Sequence, residues 1–82
     1  MQFIWDDIDD PNGNVDHIAE HGLTIDEVEF VMHHSTSKGE SHSSGRPCRF
    51  GYTPSDEYII VIFEWVDDET VYPISAYHVP EP

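Results

Sequence analysis

The sequence predicts an α+β domain: a short N-terminal strand, then two helices packed on one face of an antiparallel meander sheet. Three observations point there. Residues 24–32 carry a helix start signal followed by apolar residues at helical spacing. Residues 46–79 hold three β-rich runs separated by short polar turns. The chain has 82 residues, room for one domain that buries only about 60% of its unfolded surface. A two-layer sandwich suits that size.

Phe3, Ile4 and Trp5 read as the first strand. It stops at the acidic cluster Asp6, Asp7, Asp9, Asp10 and at Pro11-Asn12-Gly13, where Asn-Gly favours positive φ. Asn14 is expected to cap a helix running to His21, with Val15, Ile18 and Ala19 as its apolar stripe. Gly22 sits where a helix ends in the left-handed conformation. Thr24-Ile25-Asp26-Glu27 is a capping box opening the second helix. Ile25, Val28, Val31 and Met32 give that helix its buried face, and Asp26, Glu27 and Glu29 suit its positive pole. His33 and His34 stand near its end.

Ser35 to Gly45 is rich in Ser and Gly and reads as a mobile loop. Arg46 to Thr53 alternates, with Cys48, Phe50 and Tyr52 on one face and Arg49, Gly51 and Thr53 on the other. Pro54 to Glu57 makes a turn. Tyr58 to Val66 is β-branched and aromatic on both faces, the pattern of a central strand covered on both sides. Asp67-Asp68-Glu69 is a second turn. Thr70 to Val79 is the last strand. Pro73 removes a ladder donor there, which predicts an edge position or a bulge.

Composition limits function. Three Lys+Arg stand against 17 Asp+Glu, a net charge of −14. Protonating all six His would leave the chain negative. Non-specific DNA or RNA binding draws on Lys and Arg neutralising phosphates, so the chain is not expected to bind DNA by itself, and the charge disfavours RNA. Docking on anionic lipid is disfavoured for the same reason. The longest apolar run, Tyr58 to Phe63, is far short of the ~20 residues that span a bilayer. The start of the chain lacks the basic, apolar pattern of a signal peptide. A lone cysteine, Cys48, excludes an intramolecular disulfide. A cytoplasmic location is the expectation.

Several residue sets could carry chemistry. His17-Ile18-Ala19-Glu20-His21 has the H-x-x-E-H form of inverted zinc proteases. Its two imidazoles share a helix face, but a catalytic site needs a third ligand and a cleft. Polar residues bordering an apolar stripe explain the pattern without a metal. His17 and His21 are at most weak zinc or nickel ligands, with His33, His34 or His42 added. The histidines, with Tyr52, Tyr77, Glu64 and Arg46 or Arg49, suffice in kind for metal-independent RNA cleavage: a base, an acid, and a cation for the phosphorane. Both arginines are also expected to pair with local carboxylates. Glu64 interrupts an apolar strand and is expected to face solvent near its end. Cys48 reads as a core thiol without an activator, since Arg49 points to the other face.

The order of these features resembles the BrnT-like toxins. Phe3-x-Trp5-Asp6 comes first, then Asn14-x-x-His17-Ile18-x-x-His21-Gly22, then Thr24-x-x-Glu27-Val28-x-x-Val31. Gly45-Arg46, Phe50-Gly51-Tyr52-Thr53, the run Tyr58 to Phe63, and Val71-Tyr72-Pro73-Ile74-Ser75-Ala76-Tyr77 continue it, over about residues 3–77. The resemblance implies a RelE-like fold and a metal-independent endoribonuclease, the toxin of a type II toxin–antitoxin module. It implies no cofactor and a cognate antitoxin as partner. By position it nominates His17, His21 and Arg46 as catalytic, with Tyr77 standing where the family carries Arg. Asn14, Arg49 and Lys38 are the candidate RNA contacts. Tyr77 can donate to a phosphate but supplies no charge. The chain also stops at Pro82, short of the family's basic C-terminal helix.

The residues support two other expectations. One is a non-catalytic domain of the same fold that binds a basic protein. The other treats the acidity as adaptation to a salty cytoplasm.

Overall fold

The structure is a computed structural model and describes all 82 residues. It is an α+β domain of two helices and one five-stranded mixed sheet. In chain order the elements are β1 (Gln2–Phe3), α1 (Asn14–Glu20), α2 (Ile25–His33), β2 (Ser37–Glu40), β3 (Pro47–Tyr52), β4 (Tyr58–Trp65) and β5 (Thr70–His78). The sheet order is β1-β5-β4-β3-β2. The strands β2 to β5 form an antiparallel meander, while β1 runs parallel to β5.

The helices and sheet meet through their apolar faces. Ile18 of α1, Leu23, and Val28, Val31 and Met32 of α2 pack against Ile59, Val61, Phe63, Val71 and Ala76. The alternate residues of β4 face the other way. There Ile60 and Ile62 join Cys48 in a smaller cluster, covered by Phe50, Tyr77 and Val79. This second cover explains why β4 is buried from Tyr58 to Phe63 although the helices occupy one face only. Glu64 and Trp65 lie beyond both clusters and are exposed.

The capping box of α2 forms as expected. Thr24 Oγ1 accepts from the Glu27 amide, and Glu27 Oε1 accepts from the Thr24 amide. Gly22 takes the left-handed conformation, φ +76°. The start of α1 departs from expectation. Its cap position is Gly13, and Asn14 is the first helical residue and buried. A Cβ at Gly13 would lie 2.7 Å from Asp6 Cβ, so only glycine lets the two segments approach. The Asp6 carboxylate reaches across and accepts the Asn14 amide at 2.9 Å, filling the role expected of Asn14.

Two strand expectations are corrected. Segment 35–45, expected as a loop, contains β2, paired along its length with β3. Nothing in Ser-Lys-Gly-Glu alternates in polarity; the ladder to β3 alone makes it a strand. The first strand lies at Gln2–Phe3 instead of Phe3–Trp5. The Ile4 amide still donates to Val71 O, but Trp5 turns away and its indole N–H donates to Glu29 of α2 at 2.8 Å. The expectation for Pro73 held: β1 pairs only with Thr70 and Val71, so no strand covers the outer side of β5 at Pro73. The bulge did form. Register passes from Phe63–Pro73 to Ile62–Ser75, leaving Ile74 unpaired.

Candidate functional site

The candidate residues lie on or beside α1, β2, β3 and β5, and the fold divides them. His17 of α1 and His21, which caps its end, lie four apart and are exposed. Their ring centroids are 5.6 Å apart, and His21 lies 5.7 Å from the ring of Tyr77. The three rings therefore form a row where α1 runs beside β5. Tyr77 sits opposite Ile60 and packs on the smaller cluster. His17 also lines a cleft of about 180 Å³ with Asn12, Gly13, Asn14, Tyr72 and Ile74.

Arg46 is offset along the sheet from Tyr77. It immediately precedes β3, and its Nε donates to Glu64 Oε1 at 2.9 Å. Both side chains remain half-exposed. Glu64 sits opposite Tyr72, four residues along β4 from Ile60 and hence from the level of Tyr77. Four residues of strand span about 13 Å. The one arginine on this face is thus paired at the surface and offset from the His21–Tyr77 end of the row.

The remaining candidates lie elsewhere. The Arg49 guanidinium donates to the Met32 carbonyl at 2.8 Å, near the end of α2. It lies over the rings of Phe63 and Trp65, at 5.6 and 5.9 Å from their centroids. The expectation that it pairs with a carboxylate is corrected: it satisfies a helix carbonyl and stacks on aromatics, which suits a planar cation. Lys38 lies on β2, opposite Arg49, at the far edge of the sheet. Three strand spacings, about 14 Å, separate β2 from β5.

Asn14 is corrected as an RNA contact. It is 3% exposed, and every polar atom of its side chain is engaged inside the protein. Its Nδ2 donates to Ile4 O at 3.0 Å and to Pro73 O at 2.8 Å. Its Oδ1 accepts the Asp6 amide at 2.8 Å. The Ile4 amide bonds Val71 O, so Asn14 takes over the outer side of β5 where β1 leaves it.

Two residues missed in the sequence complete this corner. The Tyr72 hydroxyl donates to Asp6 Oδ2, which also accepts the Asn14 amide. The Tyr72 hydroxyl, and after it the Asn14 amide, hold the Asp6 carboxyl below its ordinary value. The same hydrogen bond, with partial burial and the charges of Asp6, Asp10 and Glu64, pushes the Tyr72 hydroxyl up to about 12. Tyr72 is therefore a proton donor locked onto its acceptor. The only sequence signal was a Tyr beside a strand proline.

In kind, the His17–His21–Tyr77 row offers proton donors and acceptors without a free cation. No group of three His, Cys, Asp or Glu side chains is placed to hold a metal ion, so His17 and His21 lack the third ligand that the H-x-x-E-H reading requires. Burial pushes the Cys48 thiol up, which disfavours a nucleophilic role. No helix is long and apolar enough to cross a membrane. No family model, curated protein or solved structure matches the chain.

Proposed function

We propose that this chain is a non-catalytic, acidic protein-binding domain of BrnT-like, RelE-like arrangement, whose partner is a basic protein. One observation carries the reading. Two of the three Lys and Arg side chains are engaged internally, Arg46 on Glu64 and Arg49 on Met32 O. The third, Lys38, lies at the sheet edge farthest from β5. Phosphate contacts supply most nucleic-acid affinity and fix its register. Neither arginine bonds to or stacks on His17, His21 or Tyr77, whereas a net charge of −14 favours a cationic protein. The cognate antitoxin of the BrnT-like resemblance would be such a partner.

Expression without a partner tests this. Growth and total RNA should stay unaffected, and the purified protein should bind a basic protein with an affinity that falls as salt rises. Growth arrest relieved by His17→Ala would overturn it.

The row of three rings favours a second reading, the metal-independent endoribonuclease toxin. There His17 and His21 exchange protons with the 2′-hydroxyl and the leaving oxygen, and Tyr77 donates to the phosphorane. His17→Ala, His21→Ala and Tyr77→Phe would then each lower RNA cleavage by about 10²–10⁴-fold. Arg46→Ala would cost less, since Glu64 already pairs with the cation.

A further inference from the structure

We propose that the groove formed by α1, the start of α2 and the loop before α1 docks a short basic amphipathic segment of a partner protein. An apolar side chain of that segment fills the groove, and its Lys or Arg neighbours meet the groove's rim. The inference rests on the protein-binding reading and says where that binding occurs.

The groove has a volume of about 400 Å³, and Ile8, Val15, Ala19, Leu23, Ile25 and Asp26 lie along it. Ile8 forms part of its wall yet is 74% exposed. This is the most exposed large apolar side chain of the protein. An apolar concavity with so open a wall lacks a cover from its own chain.

Charge identifies the occupant. Asp7 and Asp9 flank Ile8, Asp16 follows Val15, Glu20 follows Ala19, and Asp26 follows Ile25. Residues 1–37 contribute nine of the 17 acidic side chains and none of the Lys or Arg. The groove lies wholly within that stretch. Low-dielectric walls under one sign of charge focus the field and draw in the opposite sign. A second copy brings the same −14 and is repelled, and an anionic lipid is repelled likewise. A cationic segment with apolar residues one helical turn apart satisfies both the wall and the rim.

The test uses two fluorescein-labelled peptides. One is a lysine-rich helix with Leu at i and i+4, and its twin carries Ser in place of Leu. The intact protein should bind the Leu peptide about tenfold more tightly than the twin. Ala19→Trp fills the groove from an exposed helix position and should abolish that preference, with far-UV circular dichroism unchanged. Asp9→Lys/Asp16→Lys should weaken both peptides. Asp67→Lys/Asp68→Lys, in the β4–β5 turn, should leave the Leu preference intact. If Ala19→Trp keeps the preference, or if the intact protein binds both peptides equally, the groove is overturned while protein binding stands. If neither peptide binds at low salt, both fail. A dimer in sedimentation that Ala19→Trp dissociates would assign the groove to a second copy, and a small apolar molecule retained in native mass spectrometry would assign it to that molecule. Either result overturns the peptide.

Discussion

The Asn14 side chain continues a ladder that the backbone of β1 abandons. Its amide supplies donors to the Ile4 and Pro73 carbonyls, and its oxygen accepts from Asp6. Asn14→Ala leaves those three groups without their protein partner at a partly buried corner. The loss should be about 2–3 kcal/mol, or a fall in Tm of roughly 10 °C or more for a domain this small. Thermal melts at neutral pH check it; an unchanged Tm would mean that water replaces the amide. The neighbouring Tyr72–Asp6 bond gives a pH signature. Tyr72 keeps its proton in the folded protein up to about 12, above its ordinary 10. A group whose folded value is raised contributes stability that is complete below the unfolded value and is lost as pH rises toward the folded one. Stability should therefore decline between pH 10 and about 12. Tyr72→Phe should flatten that part of the decline, which denaturant melts at pH 9, 10 and 11 would show. None of this was legible at Asn14 itself. Its position before an apolar-periodic run correctly marked the start of α1, but its burial depends on Asp6, eight residues away, and on Pro73, 59 residues away. Sequence spacing contains no such closure. Of the candidate site, the His17–His21 pair was legible because i, i+4 is local to a helix. That Tyr77 joins it and that Arg46 does not depends on strand register.

The elements divide in the same way between local and borrowed structure. The boundary of α2 was legible because Thr24 and Glu27 cap it within a single turn. The strands β3, β4 and β5 were legible because each carries its own run of β-branched and aromatic residues. The bulge was legible because proline cannot donate to a ladder. The two outer strands were not. Ser37–Glu40 holds no apolar residue and is exposed throughout, so its strand character comes from β3 alone. The parallel pairing of β1 with β5 depends on a crossover through most of the chain. An edge strand with glycine in its middle should also be the weakest part of the sheet. Gly39 faces Cys48 in the ladder, and a Cβ there would meet Cys48 Sγ at 3.8 Å, an ordinary contact. Gly39→Thr should therefore stabilise β2 by about 0.5–1 kcal/mol. Tm should rise by roughly 2–6 °C. Hydrogen exchange should slow at the amides of 37–40 before it slows elsewhere. A lower Tm would mean that β2 depends on glycine's freedom.

At the scale of the whole molecule the charge sets the terms. Seventeen acidic side chains share a surface of 4991 Å². Spread evenly they stand roughly 17 Å apart, within the ~30 Å screening length at 0.01 M salt and well beyond the ~3 Å at 1 M. Only Arg46 makes an ion pair with a carboxylate among the three Lys and Arg, and that pair is half-exposed. Salt therefore removes much repulsion and little attraction, since an exposed pair contributes at most about 1 kcal/mol. Unfolding spreads the charges and relieves the repulsion, so the folded state gains more from screening. Tm should rise steadily as NaCl goes from about 0.01 M to about 1 M, with KCl acting alike because the effect is one of ionic strength. Asp7→Asn/Asp9→Asn should raise Tm at low salt and lessen the gain at high salt. A Tm that falls on adding salt would show instead that specific ion pairs outweigh the general repulsion. The same titration bears on binding with the opposite sign: salt that strengthens the fold should weaken its hold on a cationic partner. A domain more stable at high salt yet binding best at low salt is the joint signature of an acidic docking module. Adaptation to a salty cytoplasm alone predicts the first trend without the second.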